Sequence, residues 1–394
     1  MQSSGNHVKR VVNDFKLDYS AIERELTKKE FVHHPGCLKN MESTYTPIIS
    51  FKVARKLMED ATVEFKKDAA VLKLNRKKTR VVGDLHGALD DFSRYVEIGY
   101  YDLQSTFLFL GNYVDHGPNS VAVVCLLCFY KARYPNRFFF LRGNHEFALI
   151  NGKHGFLEEC IRVYGIEGGQ TIFLEANELF REMPVAAIVQ DRVWFAHGGI
   201  SHYMLQGRDF LELVKKRPET AEEHQLFMDI LWSDPSTVFA VDGKTPILFV
   251  KSGRTEDALD FTVPGLTKVL EACDFDFIGR GHQVKENGFE FFCGTKCVTL
   301  FGRTNNDESG NMGCQMIVHE TLQCEYIVFI NMDPVPKGKD EVTQDKTLDD
   351  NDEDDTKENS KDENRKSRAE SGDSKATENK KASKNNKTKK TAKK

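Results

Sequence analysis

Four times along this chain a short β-prone run is followed at once by a glycine-bracketed cluster of Asp, Asn and His, and this repeat narrows the possible folds more than any other feature. The runs cover residues 79–82, 106–110, 137–141 and 192–196. The clusters are Gly83-Asp84-Leu85-His86-Gly87, Gly111-Asn112-Tyr113-Val114-Asp115-His116-Gly117, Gly143-Asn144-His145-Glu146 and His197-Gly198-Gly199, and a fifth, Arg280-Gly281-His282, follows residues 275–278. Helical patterns at 89–98, 121–133 and 156–164 separate them, and such alternation of strands with helices predicts a layered α/β fold. Side chains on strand-to-helix loops of such a fold converge at one rim of a sheet, so the clusters are expected to meet there. Glycines let the backbone turn sharply enough for Asp, Asn and His to point inward together. Later β-rich runs at 297–301, 312–318 and 323–330 predict a second sheet packed on the first, giving a central β-sandwich flanked by helices.

Three regions follow from the patterning. Residues 1–48 mix polar and charged residues with short helical patterns, as at 19–28, and read as a variable arm. Residues 49–335 form the domain, entered by a helix near 49–65 with Phe51, Ala54, Leu57 and Met58 at helical spacing. Residues 336–394 carry an acidic block at 349–355 and a lysine-rich end at 380–394, with too little apolar area to offset ordering entropy, and read as a disordered tail. The formal net charge of -5 makes neither nucleic acid nor a membrane surface the expected main partner. Nine scattered cysteines, with no secretory segment after Met1, lead us to expect a cytoplasmic or nuclear setting with free thiols. Cys125 and Cys128 lie three apart in an apolar helical run and read as core packing.

A mixed oxygen and nitrogen donor set suits two adjacent divalent ions such as manganese, iron or zinc. Such a pair can bind an attacking water and a phosphoryl oxygen together. The motifs, with Leu141-Arg142-Gly143-Asn144-His145-Glu146 and Leu231-Trp232-Ser233-Asp234-Pro235, closely resemble the phosphoprotein phosphatase family of serine/threonine phosphatases, most nearly its type 1 catalytic subunit. The likeness runs almost continuously from Phe51 to Phe329, in the family's order and with family-like separations, and implies a metallophosphoesterase-type sandwich. It also implies that Asp84, His86 and Asn112 hold one ion, and that Asn112, Asn144, His197 and His282 hold the second. His145 would be the general acid, oriented by Asp115. His7, His33, His34, His154, His202, His224 and His319 carry no motif and read as ordinary surface or core residues.

The second motif departs from the family pattern Gly-Asp-x-Val-Asp-Arg-Gly at two places, with Asn112 for the bridging carboxylate and His116 for the phosphate-clamping arginine. A carboxamide offers one neutral oxygen where a carboxylate offers two charged ones, so partial metal occupancy is expected. Imidazole cannot reproduce the fork of an arginine, so phosphate affinity should fall. The resemblance leaves His116 and Asn144 at the phosphate, with Arg254 or Asp257 where the family has a second arginine. Gly302-Arg303-Thr304-Asn305-Asn306 replaces the family's Ser-Ala-Pro-Asn-Tyr loop.

The resemblance further implies phosphoprotein substrates and a groove for apolar-anchored peptides of regulatory subunits, at Val193, Phe277, Phe291, Leu322, Cys324 and Tyr326. The lysine-rich tail is the one segment suited to RNA or an acidic partner. The leading expectation is an attenuated metal-dependent protein serine/threonine phosphatase acting through metal-activated water. Two other readings stay open in the sequence: a catalytically inactive pseudophosphatase serving as a binding scaffold, and a small-molecule phosphodiesterase on the same metal core.

Overall fold

Every residue of the strand Ser105–Phe109 is buried, which requires cover on both faces. In the computed structural model, which describes residues 49–215, 217, 224–238 and 245–330, that strand sits inside a two-sheet sandwich with helices outside each sheet. The arm over 1–48, the tail over 336–394 and His7, His33 and His34 lie outside the described residues.

Numbered in chain order, the described elements begin with α1 (Phe51–Phe65), β1 (Val71–Leu74), β2 (Lys78–Val82), α2 (Leu89–Tyr100), β3 (Ser105–Phe109), α3 (Ser120–Arg133) and β4 (Phe138–Phe140). They continue with α4 (Ala148–Asn151), α5 (Phe156–Arg181), β5 (Ala186–Val189), β6 (Val193–Ala196), a 3-10 segment (His202–Glu212), α6 (Gln225–Trp232), β7 (Pro235–Ser236), β8 (Phe249–Lys251) and β9 (Leu259–Thr262). Last come α7 (Val263–Cys273), β10 (Phe277–Arg280), β11 (Phe289–Phe292), β12 (Cys297–Leu300), β13 (Gly313–His319) and β14 (Cys324–Phe329).

One sheet has five strands in the order β14-β13-β2-β3-β4, and the other has six in the order β1-β5-β6-β10-β12-β11. The late strands therefore do not form a second sheet of their own, as the sequence suggested. Instead β13 and β14 extend the sheet of β2 to β4, while β10, β11 and β12 join β5 and β6. Hydrophobic alternation marks a strand but does not name its neighbour.

Period-two alternation sorts the side chains into layers. Leu108, Phe139, Val81, Phe195, Val193, Val298 and Leu300 point between the sheets. Phe107, Phe109, Phe138 and Phe140 point to the other face, under α1, α2, α3 and α5. Trp194, Ile188 and Ile278 face outward from the six-stranded sheet, under α6 and α7. Helix α3 is buried nearly all round, and its Cys125 and Cys128 are free thiols pushed up by burial, Cys125 to about 12, as core packing predicts. No described helix is long and apolar enough to cross a membrane.

The parallel pairs β2–β3 and β3–β4 place three chain exits at one edge of their sheet, and parallel β6 and β10 do the same in the other. An isolated bridge between Asp84 and Phe301 ties the end of β2 to the end of β12, so the exits of both sheets meet.

Candidate metal and phosphoester site

All five sequence clusters arrive at that shared rim. β2 leads to Asp84 and His86, β3 to Asn112, Asp115 and His116, β4 to Asn144 and His145, β6 to His197 and β10 to His282. The turns are tight enough to put non-glycine residues into left-handed backbone: His86 at φ 39°, Asn112 at 55°, Asp115 at 72°, His116 at 58° and His282 at 71°. Such strain persists only where surrounding structure over-determines it, and it gathers at functional sites. Gly143 shows why the turn needs glycine, since a Cβ there would lie 2.4 Å from both the amide nitrogen and Oδ1 of Asn112.

A buried carboxylate braces the rim. Glu146 Oε2 accepts the N–H groups of Asn112 and Gly143, each at 2.8 Å, and Oε1 accepts that of Tyr113 at 2.8 Å. Burial pushes this acid up to about 7 against those three donors. In the sequence Glu146 is only the end of a motif, because a residue type does not reveal the direction in which its carboxylate points.

Asp84 is buried, and its Oδ1 accepts the His282 N–H at 2.9 Å. Burial alone would raise its pKa, but the electrostatic interaction with His197, the bond and charge of His86 and the His282 donor together hold it well below the carboxylate range. Asn112 is oriented with Nδ2 donating to Asp84 Oδ2 at 3.0 Å, while its Oδ1 accepts the His145 N–H at 3.0 Å. The amide that replaces the family carboxylate thus turns a donor, rather than a ligand oxygen, toward Asp84. Nδ1 of His86 lies 2.9 Å from the Val114 carbonyl, leaving Nε2 facing Asp84 Oδ2 at 3.5 Å.

On the other side of the rim, Nδ1 of His197 donates to the Leu110 carbonyl across 3.0 Å, so the lone pair of the neutral ring lies on Nε2. That lone pair faces Asn144 Oδ1 at 2.8 Å. Octahedral ligands at about 2.1 Å lie roughly 3 Å apart, so the two atoms have the spacing of neighbouring ligands on one ion. His282 Nε2 is buried with no hydrogen-bond partner. Burial lowers both rings, His197 to about 4 with help from Arg280, and His282 well below its ordinary value with help from Arg254. Neutral rings with unshared lone pairs are the state a metal requires, so this donor set fits the ions implied for the fold.

His145 Nδ1 lies 2.7 Å from Asp115 Oδ2, and Asp115 Oδ1 accepts the Phe156 N–H at 3.0 Å. The His145 ring sits 4.8 Å from that of His86. Burial lowers His145 to about 4, with Asp115 opposing.

The anticipated phosphate-binding residues fare differently. His116 is at the mouth, exposed, with its ring 5.1 Å from that of His145. Arg254 Nε donates to Asp234 Oδ2 at 2.7 Å, and Arg280 Nη2 donates to Asp234 Oδ1 at 2.6 Å. One carboxylate therefore engages both guanidinium groups, and Arg254 is not an unopposed phosphate clamp. Asp257, the other residue considered, has its backbone N–H capped by Thr255 at 3.3 Å. Arg303 Nη1 donates to Asn306 Oδ1 at 2.9 Å. His154, read as an ordinary residue, is brought beside His116 and His145, with centroids 5.7 and 5.6 Å away. No motif surrounds it, and only the path of the chain between α4 and α5 puts it there. His224 and His319 have local partners in the Leu226 N–H and Glu325, while His202 Nδ1 lies 3.6 Å from Asp229 Oδ2 without a hydrogen bond.

The expected peptide groove maps to the margin where β11 and β14, the outer strands of their sheets, come together. Phe277, Leu322, Cys324 and Tyr326 are partly buried there, and Phe291 is 43% exposed and packs at 5.5 Å on Tyr326. Val193 is a correction. It is wholly buried between the sheets and can only underlie such a groove.

The profile of the calcineurin-like phosphoesterase family matches residues 77–286, over half of the chain. Among solved structures the chain is similar to a protein serine/threonine phosphatase from Saccharomyces cerevisiae with similarity to human phosphatase PP5, at 24% identity over 73% of this chain and 91% of that one, with a TM-score of 0.63. A putative diadenosine tetraphosphatase aligns at 16% identity over 67% of this chain and 99% of that one, with a TM-score of 0.39. A cold-active protein-tyrosine phosphatase of a psychrophilic Shewanella species aligns at 14% identity over 67% of this chain and 84% of that one, with a TM-score of 0.41. At those scores neither bears on the substrate.

Proposed function

We propose that this chain, which belongs to the calcineurin-like phosphoesterase family, hydrolyses phosphoserine and phosphothreonine in proteins with two divalent ions, manganese, iron or zinc, at an attenuated rate. The observation that carries the reading is the Asp115–His145 pair at 2.7 Å, set over the ligand set at the rim. A scaffold has no physical need for a histidine aligned in this way.

When bound, the ions polarise the phosphoryl oxygen and activate a water for attack. Asp84, His86, Asn144, His197 and His282 would hold them. His145 Nε2 would protonate the leaving serine or threonine oxygen, with Asp115 fixing the ring. Burial disfavours the charged ring and Asp115 favours it, and a phosphate dianion beside the ring acts in the same direction as Asp115. Attenuation comes from Asn112, whose amide supplies no charge, and from His116, which lacks the arginine fork. We also propose that Phe277, Phe291, Leu322, Cys324 and Tyr326 receive an apolar-anchored peptide of a regulatory subunit.

A second reading is favoured by one observation. The Asn112 amide donates to Asp84 where the family carboxylate would bind metal, as expected for a pseudophosphatase that binds without turning over. Phosphopeptide hydrolysis with added manganese separates the two. The native chain should turn over, and His145→Ala should lower kcat by roughly 100-fold or more, the range of a lost general acid. Native turnover equal to that of His145→Ala would rule out the enzyme reading.

A further inference from the structure

The sequence change that removes the family arginine also adds a ligand. Potential ligand atoms of His86, His116 and His145 all lie within 4.8 Å of one another. Their ring centroids form a near-equilateral triangle of 5.0, 4.8 and 5.1 Å. Two of the three rings are already held as metal-bound imidazoles are held. His86 Nδ1 faces the Val114 carbonyl at 2.9 Å and His145 Nδ1 faces Asp115 at 2.7 Å, so each turns its Nε2 lone pair away from its anchor. An outer carboxylate or carbonyl on the far nitrogen is the usual partner of a ligating histidine. Tetrahedral ligands at about 2.0 Å stand roughly 3.3 Å apart, so atoms up to 4.8 Å apart must close by about 1.5 Å, and His116, exposed at the mouth, is the ring with room to move. His154 flanks the open side of the triangle.

We propose that His86, His116 and His145 form a mononuclear three-histidine site for a borderline divalent ion of the zinc class, which shares His86 with the Asp84 centre, needs neither Asp84 nor His282, and is mutually exclusive with an ion that needs His86. All-imidazole ligation selects zinc, cobalt, nickel or copper over manganese and magnesium, which prefer oxygen. An ion there withholds the His145 lone pair and shares His86, so filling the site switches hydrolysis off. That consequence rests on the phosphatase reading, whereas the binding itself does not.

Cobalt is the probe, because four-coordinate cobalt on imidazole gives visible bands far stronger than octahedral cobalt. The full chain titrated with cobalt alone should develop these bands at one equivalent. Asp84→Asn and His282→Ala should keep them, Asp115→Asn should weaken the affinity by roughly 10–100-fold, and His116→Ala should abolish them. His116 is exposed, so its removal should leave the circular dichroism unchanged. Bands that survive His116→Ala, that vanish in both Asp84→Asn and His282→Ala, or that never appear in the native chain would each overturn the proposal. Absence of phosphopeptide turnover in cobalt-free chain supplied with manganese, alongside cobalt bands that depend on His116, would defeat the phosphatase reading and leave this site standing.

Discussion

The two halves of the rim are built from similar residue types but carry different charge. On the β2 side Asp84 brings a carboxylate held ionised by its neighbours, with His86 beside it. Asn144, His197 and His282, on the other side, are all neutral, and burial keeps both rings unprotonated. In the family pattern the residue at 112 is a carboxylate shared between the halves, and here it is an amide turned toward Asp84. The β2 side therefore keeps its charge while the other side relies on neutral lone pairs. On the proposed two-ion reading, this oxygen-to-nitrogen exchange should lower the affinity of one position far more than that of the other.

The largest expected effect comes from removing the remaining charge. Asp84→Asn should cost more than about 100-fold in phosphopeptide turnover, since even outer partners of metal ligands are worth 10–100-fold. Retained turnover would show that charge at Asp84 does not distinguish the halves. A smaller effect is expected at His282, whose Nε2 is buried and unpartnered. His282→Ala should weaken the second manganese by roughly 10-fold or more. It should change the melting temperature of the metal-free chain little, because relief of an unsatisfied nitrogen, about 1–3 kcal/mol, offsets the cavity left behind. A large fall in that temperature would make His282 a structural residue instead.

The smallest effect lies in the loop that replaces the family's metal-side segment. Asp91 accepts the Thr304 N–H at 2.7 Å, and burial pushes its carboxyl up to about 6. The folded chain then binds this proton more tightly than the unfolded chain, whose carboxyl titrates near 4. The contribution of Asp91 to stability is therefore fully present below pH 4 and is lost as pH rises through 6, by at most about 3 kcal/mol. Asp91→Asn should flatten denaturant midpoints measured between pH 4 and 6. An unchanged slope would show that the loop does not bury this acid in solution.

Much of the rim was legible in the sequence because glycine turns after apolar runs fix where side chains leave a sheet. β2, β3, β6 and β10 begin and end within two residues of their sequence patterns, and each delivers its Asp, Asn or His to the expected edge. Orientation and long-range pairing were not legible. The side of the Asn112 amide facing Asp84 depends on a backbone N–H from His145, far along the chain. Arg254 belongs to Asp234 because β9 returns beside β7, a pairing of strands too short to give a periodic signal. β1 and β5 escaped notice because no glycine-flanked Asp, Asn or His cluster follows either strand.

Manganese binding by equilibrium dialysis, on the native chain and on Asn112→Asp, tests the charge asymmetry most directly. The account predicts one tight and one weak ion for the native chain and two tight ions for Asn112→Asp, with the weak position gaining roughly 10-fold or more from the restored charge. Two equally tight ions in the native chain, or no gain in Asn112→Asp, would contradict it.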